Sequence, residues 1–136
     1  MPNRVAIYRQ RAAVRQKGCC CYCGLPVVPH HQLSQFASER GLSEARVKAL
    51  QCTAEHLQAR CEGGADSPSN ISAACITCNL RRHRMRPALP PDKYRDLVQR
   101  QMVNGSWHKQ SLTRSLPPSF SQNVPRGDEH CVEQGR

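Results

Sequence analysis

The sequence is poor in aromatic residues, in acid and in long apolar runs, and each shortage narrows the answer. One Trp, three Tyr and two Phe among 136 residues leave little large apolar surface, so a core held by burial alone would be small for a chain of one domain's length. No stretch stays apolar long enough to span a bilayer, and the N-terminus MPNRVAIYRQRAAVRQ lacks the continuous apolar segment of a secretory leader. A cytoplasmic protein with reduced thiols and no membrane partner is the expectation. Ten Asp and Glu stand against twenty Lys and Arg, giving a formal charge of +10 and a pI near 9.6. That field favours a polyanionic partner, with nucleic acid the obvious candidate, because each neutralised phosphate releases condensed counterions.

Cysteine, by contrast, is plentiful: the chain has nine. In a reducing compartment two Cys-x-x-Cys pairs read as a metal site rather than as disulfides. In CCCYCGLPVV, Cys20 and Cys23 flank a dipeptide, with Gly24 and Pro26 close behind, which makes a tight knuckle offering two thiolates to one ion. Cys19 and Cys21 compete for the register, but they leave a single residue between sulfurs where two is the usual gap. Cys75 and Cys78 form the second pair. Four thiolates in tetrahedral array suit Zn²⁺, so a structural zinc is expected to pin the N-terminal knuckle to the start of a helix. Cys52, Cys61 and Cys131 read as plain residues: packed beside a strand, in a loop and in the tail.

Three segments are expected. Residues 1–18 form a basic arm or helix, in which Arg4, Arg9, Arg11, Arg15 and Lys17 alternate with Val5, Ile7, Tyr8, Ala12 and Val14 up to Gly18. Residues 19–108 form the zinc-bearing domain. Within it, Leu33, Phe36 and Ala37 mark a helix that Gly41 stops, and Ser43 caps a second one carrying Val47 and Leu50. A strand over 51–58, a turn-rich loop CEGGADSPSN, a strand in ISAA antiparallel to the first, and a helix from Cys75 to Arg84 follow. A further helix begins at Pro91 and Asp92, carries Tyr94, Leu97, Val98 and Met102 on one side, and ends at Asn104 and Gly105. Residues 109–136 hold Ser, Gln, Pro and charge but few apolar side chains, and a disordered tail is expected there.

A closed four-cysteine centre has no open coordination position, so a catalytic metal would need other ligands. Glu55, His56, Asn70, Asn79 and His83 are the candidates. Glu55 and His56 are neighbours on the expected strand, so their side chains point to opposite faces, one to bind metal and the other to address a water. Asn79 and His83 lie one turn apart on one helix face and can reach a single ion. An ion of the Mg²⁺ type, with few protein ligands and several waters, suits such oxygen and imidazole donors.

Taken in order from Cys20 to His83, the motifs CYCG, TAEH, GG, SN and CITCNLRRH resemble the HNH endonuclease family, in the variety that carries a four-cysteine zinc. The resemblance implies an α+β fold: a small zinc-stabilised ββα-metal (His-Me finger) domain with flanking helices. It implies a metal-dependent endonuclease that hydrolyses DNA phosphodiester bonds using Mg²⁺ or Mn²⁺. His56 matches the general base, and Asn70 matches the central Asn that braces the loop and helps to orient that base. Glu55 matches the acidic metal ligand before the base, and Asn79 stands at the final HNH position as a metal ligand. His83 matches a second ligand that only some members use, or else a basic helix residue near phosphate. The chain departs from the commoner pattern in having Asn as the final letter and Glu in place of Asp, and both still offer oxygen to a hard cation.

Arg81, Arg82, Arg84 and Arg86 surround the end of the site helix, and no acid occurs between Ser67 and Pro91. Contact with a nucleic-acid backbone is expected of them. The alternative function is a non-catalytic zinc-dependent module that binds nucleic acid. RNA stays open as a partner beside DNA, and neither sequence preference nor oligomeric state is legible.

Overall fold

The computed structural model describes residues 3–116. Helix α1 (Arg4–Arg15) begins at Asn3, whose side-chain oxygen accepts from the Ala6 amide at 2.8 Å, so one of the orphan donors at the helix start is satisfied. Lys17 and Gly18, with φ of 55° and 74°, then turn the chain into the cysteine knuckle. The basic segment is a helix packed on the sheet, and Gln16 fastens it there. The Gln16 amide donates to the carbonyls of Ala73 and Cys19 at 2.8 Å each and accepts from the Ala73 amide at 2.9 Å. One buried side chain thereby does for the outer edge of a strand what another strand would do.

Helix α2 (Leu33–Arg40) stops at Gly41, which takes the left-handed conformation with φ of 65°. Helix α3 (Glu44–Val47) starts at Ser43, whose hydroxyl accepts from the Arg46 amide at 3.2 Å. Leu33, Ala37, Val47 and Leu50 are buried, so both helices supply core as their apolar spacing predicts.

Strands β1 (Cys52–His56) and β2 (Ile71–Cys75) form the two-stranded antiparallel sheet. Cys52 pairs with Cys75, Glu55 with Ser72 and His56 with Ile71. The first strand is shorter than the expected span 51–58, because the chain leaves the sheet after His56 and the loop closes with Leu57 N–H on the Asn70 carbonyl at 3.0 Å. Gly64 is required in that loop: a Cβ there would sit 1.8 Å from the Gln58 carbonyl oxygen.

Helix α4 (Ile76–Arg84) follows β2 directly, and the Cys75 sulfur caps it by accepting from the Cys78 amide at 3.4 Å. Helix α5 (Pro91–Val103) buries Tyr94 and Val98 against this region. The Tyr94 hydroxyl donates to the Cys78 carbonyl at 2.6 Å, and the Gln99 amide donates to the Tyr22 carbonyl at 2.6 Å. No helix of the described residues is long and apolar enough to cross a membrane.

The expected disordered tail begins too early. Residues 109–116 are ordered: α6 (Gln110–Thr113) lies there, with Leu112 and Leu116 almost fully buried and His108 buried just before it. Two leucines four apart put their side chains on one face, and with Trp107 partly buried against the same core they anchor a segment whose composition is otherwise polar. The rest of that tail, including Cys131, lies outside the described residues.

Candidate active site and metal centre

The sulfurs of Cys20, Cys23, Cys75 and Cys78 all lie within 4.8 Å of one another, and all four residues are buried. Zn–S bonds of about 2.3 Å in a tetrahedron put sulfurs about 3.8 Å apart; the Cys23 and Cys75 sulfurs stand at 3.9 Å. The register left open by the run of cysteines is settled, because Cys19 and Cys21 fall outside the set. Donors surround the thiols. Cys20 sulfur faces the Tyr22 and Cys75 amides at 3.4 and 3.3 Å, and Cys78 sulfur faces the Trp107 indole N–H at 3.2 Å. Such hydrogen bonds stabilise thiolate charge and orient ligands.

Burial pushes the Cys23 and Cys78 thiols well above their ordinary range. Burial acts on Cys20 in the same direction, but hydrogen bonds from Cys21, Cys23, Cys75 and Cys78 bring it well below. Burial opposes gathering several thiolate charges at one point, and a soft-accepting divalent cation is what would let such a cluster ionise together. The donor set fits zinc. Cys52 is packed, its thiol pushed up to about 11 by burial, and Cys61 is exposed in the loop.

The pleat separates Glu55 from His56 as expected. Glu55 is fully buried against α4, with one carboxylate oxygen 2.7 Å from His83 Nε2 and the other 3.5 Å from an Arg82 nitrogen. That second oxygen, Oε2, has no hydrogen bond. His56 instead lines an open cleft of about 450 Å³ with Ala54, Arg60, Asn79 and His83. The Asn79 amide nitrogen donates to Thr53 Oγ1 at 3.0 Å and to the Ala54 carbonyl at 3.1 Å. Both partners are acceptors, since Thr53 gives its own proton to the Ala74 carbonyl. The Asn79 carbonyl oxygen is therefore the atom left to face a ligand. A carboxylate, an imidazole and an amide oxygen, with one buried carboxylate oxygen lacking a hydrogen bond, form a donor set that fits a divalent cation.

Asp66, which the sequence reading missed, fixes His56. Its Oδ1 lies 2.7 Å from His56 Nε2. Arg60 Nε also approaches His56 Nε2 at 3.2 Å and Asp66 Oδ1 at 3.3 Å. A single ring nitrogen cannot donate to Asp66 and accept from Arg60 together. The shorter contact decides: an ionised carboxylate only accepts, so the proton sits on Nε2 and Arg60 belongs to Asp66. The hydrogen bond from His56 and the neighbouring Arg60 charge hold the Asp66 carboxyl below its usual range. The link consequently survives mild acid and is lost only as pH falls through that lowered value. The imidazole keeps Nδ1 as its basic nitrogen.

Asn70 sits at the base of the same loop and braces it. Its oxygen accepts from the Gln58 amide at 2.8 Å, and its nitrogen donates to the carbonyls of Gln58 and Ala65 at 3.0 Å each. None of these bonds reaches the His56 ring. Asn70 positions Ala65, next to Asp66, and so acts through that neighbour.

The four arginines separate. Arg82 corrects the expectation: it is 2% exposed and its guanidinium donates to the carbonyls of His56, Leu57 and Leu89 at 3.0, 2.7 and 3.0 Å, which leaves it closed to phosphate. Arg81 is exposed and lies over Trp107, donating to its carbonyl at 2.7 Å. Arg84 and Arg86 are exposed near the helix end.

A β-hairpin whose second strand runs into a helix pinned by a four-cysteine centre, with Glu-His closing the first strand and Asn and His on the helix, defines a ββα domain of nuclease type. Residues 20–85 match the family model described as HNH endonuclease, so this stretch is an HNH-family domain. No curated protein and no solved structure matches the chain.

Proposed function

We propose that the protein is a metal-dependent endonuclease that hydrolyses DNA phosphodiester bonds, with His56 as general base. The observation that carries this reading is the convergence of His56, Asn79 and His83 on one cleft, with Glu55 hydrogen-bonded to His83 at its edge. His56 Nδ1 takes a proton from water, the water oxygen attacks phosphorus, and the bond from phosphorus to the leaving oxygen breaks as that oxygen takes a proton from solvent. Glu55, His83 and the Asn79 carbonyl would hold the divalent ion. When bound, the ion stabilises charge on the phosphoryl and leaving oxygens. Arg84 and Arg86 grip the backbone beside the cleft, and the +10 charge of the chain draws DNA to it.

A second reading, a zinc-dependent nucleic-acid-binding module that does not cut, has one observation on its side. Glu55 is fully buried and already engaged by His83 and Arg82, as a purely structural carboxylate would be.

Supercoiled plasmid separates the two. Zinc-loaded protein is expected to nick it with added Mg²⁺ or Mn²⁺ and not without, and His56→Ala, at equal zinc content and fold, is expected to lose about 10²–10⁴ in rate. Plasmid bound but uncut under every metal would favour the binding module.

Asp66→Asn tests the positioning role. The cleavage rate at saturating DNA is expected to fall about 10–100-fold, a typical cost for a partner that orients a site histidine, with KM unchanged. Combined with His56→Ala it should add nothing, since Asp66 acts only through that imidazole. Additive losses would mean that Asp66 has a separate role.

A further inference from the structure

Helix α4 presents a third column beside those already described. Cys78 and Arg82 face inward and Asn79 and His83 face the cleft, whereas Thr77 and Arg81 border a second cavity of about 470 Å³. Its other walls are α3, with Arg46, and the chain from 106 to 112, with Trp107, His108 and Lys109. Three cations line it and no acidic residue does.

His108 supplies an independent sign of a ligand. It is 7% exposed, it lines the cavity, and its Nε2 has no hydrogen-bond partner. Buried polar atoms are almost always satisfied in folded proteins. Burial pushes this imidazole down to about 4, with the nearby Arg81 charge acting in the same direction, which favours the uncharged ring; Nε2 would donate to an anion in the tautomer that carries the proton there. Arg81 is set up to meet an anion as well. Trp107 lies under its guanidinium at 4.6 Å and takes one donor, and the rest of the planar fork stays available for paired bonds to phosphate oxygens.

We propose that this cavity is a phosphate-binding pocket that receives a second backbone phosphate of the nucleic acid lying across α4. Arg46, Arg81 and Lys109 supply the charge and His108 supplies a buried hydrogen bond. The proposal rests on the nuclease reading for the identity of its ligand, but not for the anion chemistry of the pocket.

Trp107 is the sole tryptophan of the chain, so its emission reports on this pocket in the intact protein. Zinc-loaded protein without added divalent ion is titrated with inorganic phosphate and, separately, with a short labelled DNA duplex followed by anisotropy. Both ligands are expected to shift Trp107 emission to saturation. Arg46→Gln with Lys109→Gln should weaken duplex binding about 10-fold and lower the salt slope of log Kd by roughly 0.9, the value for one lost phosphate contact. Duplex binding left unchanged by the double substitution, or tryptophan emission that neither ligand moves, overturns the proposal. If the duplex fails to bind at all but phosphate still shifts Trp107, and that shift vanishes in the double variant, the anion pocket stands while the nuclease reading falls.

Discussion

Removal of the metal from the four-cysteine centre is expected to unfold the domain. Its ligands come from the knuckle, the last residue of β2 and the first turn of α4, so the centre ties three pieces together at one point. Cys75 is at once a ligand, a strand end and the cap of α4. Tyr22, Tyr94 and Trp107, half of a small aromatic complement, stack edge to face beside it. Apparent binding free energies of structural zinc are about 10–16 kcal/mol, against a total stability of about 5–15 kcal/mol for a typical domain. Chelation, or Cys78→Ser, should therefore abolish helical circular dichroism and the cooperative thermal transition together. A metal-stripped protein that keeps a sharp transition within about 1–2 kcal/mol of the loaded form would show that packing, not zinc, holds the fold.

Arg82→Met is expected to cost about 3–5 kcal/mol, the usual loss when one partner of a buried ion pair is removed. Its guanidinium answers three carbonyls as well as the Glu55 carboxylate. Substitution strands a fully buried carboxylate and three part-buried carbonyls, and each unsatisfied buried group is expensive. In urea the midpoint should fall accordingly with little change in slope. Pairing it with Glu55→Gln should recover part of the loss, because the uncompensated charge disappears while the orphaned carbonyls remain. A loss below about 1 kcal/mol would mean that water reaches these groups.

Much of this architecture was legible because it is local chemistry. Gly41 and Ser43 mark a helix stop and the next start, the two Cys-x-x-Cys pairs mark the four-cysteine cluster, and strand and helix periodicity gives the faces on which Glu55, His56, Asn79 and His83 lie, while the roles proposed for them come from the family resemblance. Arg82 was misread although the signal was present: it stands four residues after Cys78, and a helix face carrying a closed metal centre's ligand has to be buried. Asp66 was illegible for a different reason. Its contact with His56 depends on the path of a loop shaped by Gly64 and braced by Asn70, and no periodicity encodes such a path. The pairing of Gln16 with Ala73 was equally hidden, because a side chain replacing a strand leaves no pattern. Leu112 and Leu116 were outweighed by the polar composition around them, which describes a segment but not the groove that receives it.

The three columns of α4 also govern where the chain can be altered or handled. A helix turns about 100° per residue, so one residue inserted after Cys78 would carry Asn79 and His83 a full column round, away from the cleft, and take Arg81 from its pocket. Insertions and deletions are excluded from that helix far more strictly than substitutions are. Leu80, 48% exposed, belongs to none of the three columns. It is the position on α4 where a dye or cross-linker can be attached while the metal centre, the cleft and the basic pocket are left as they are.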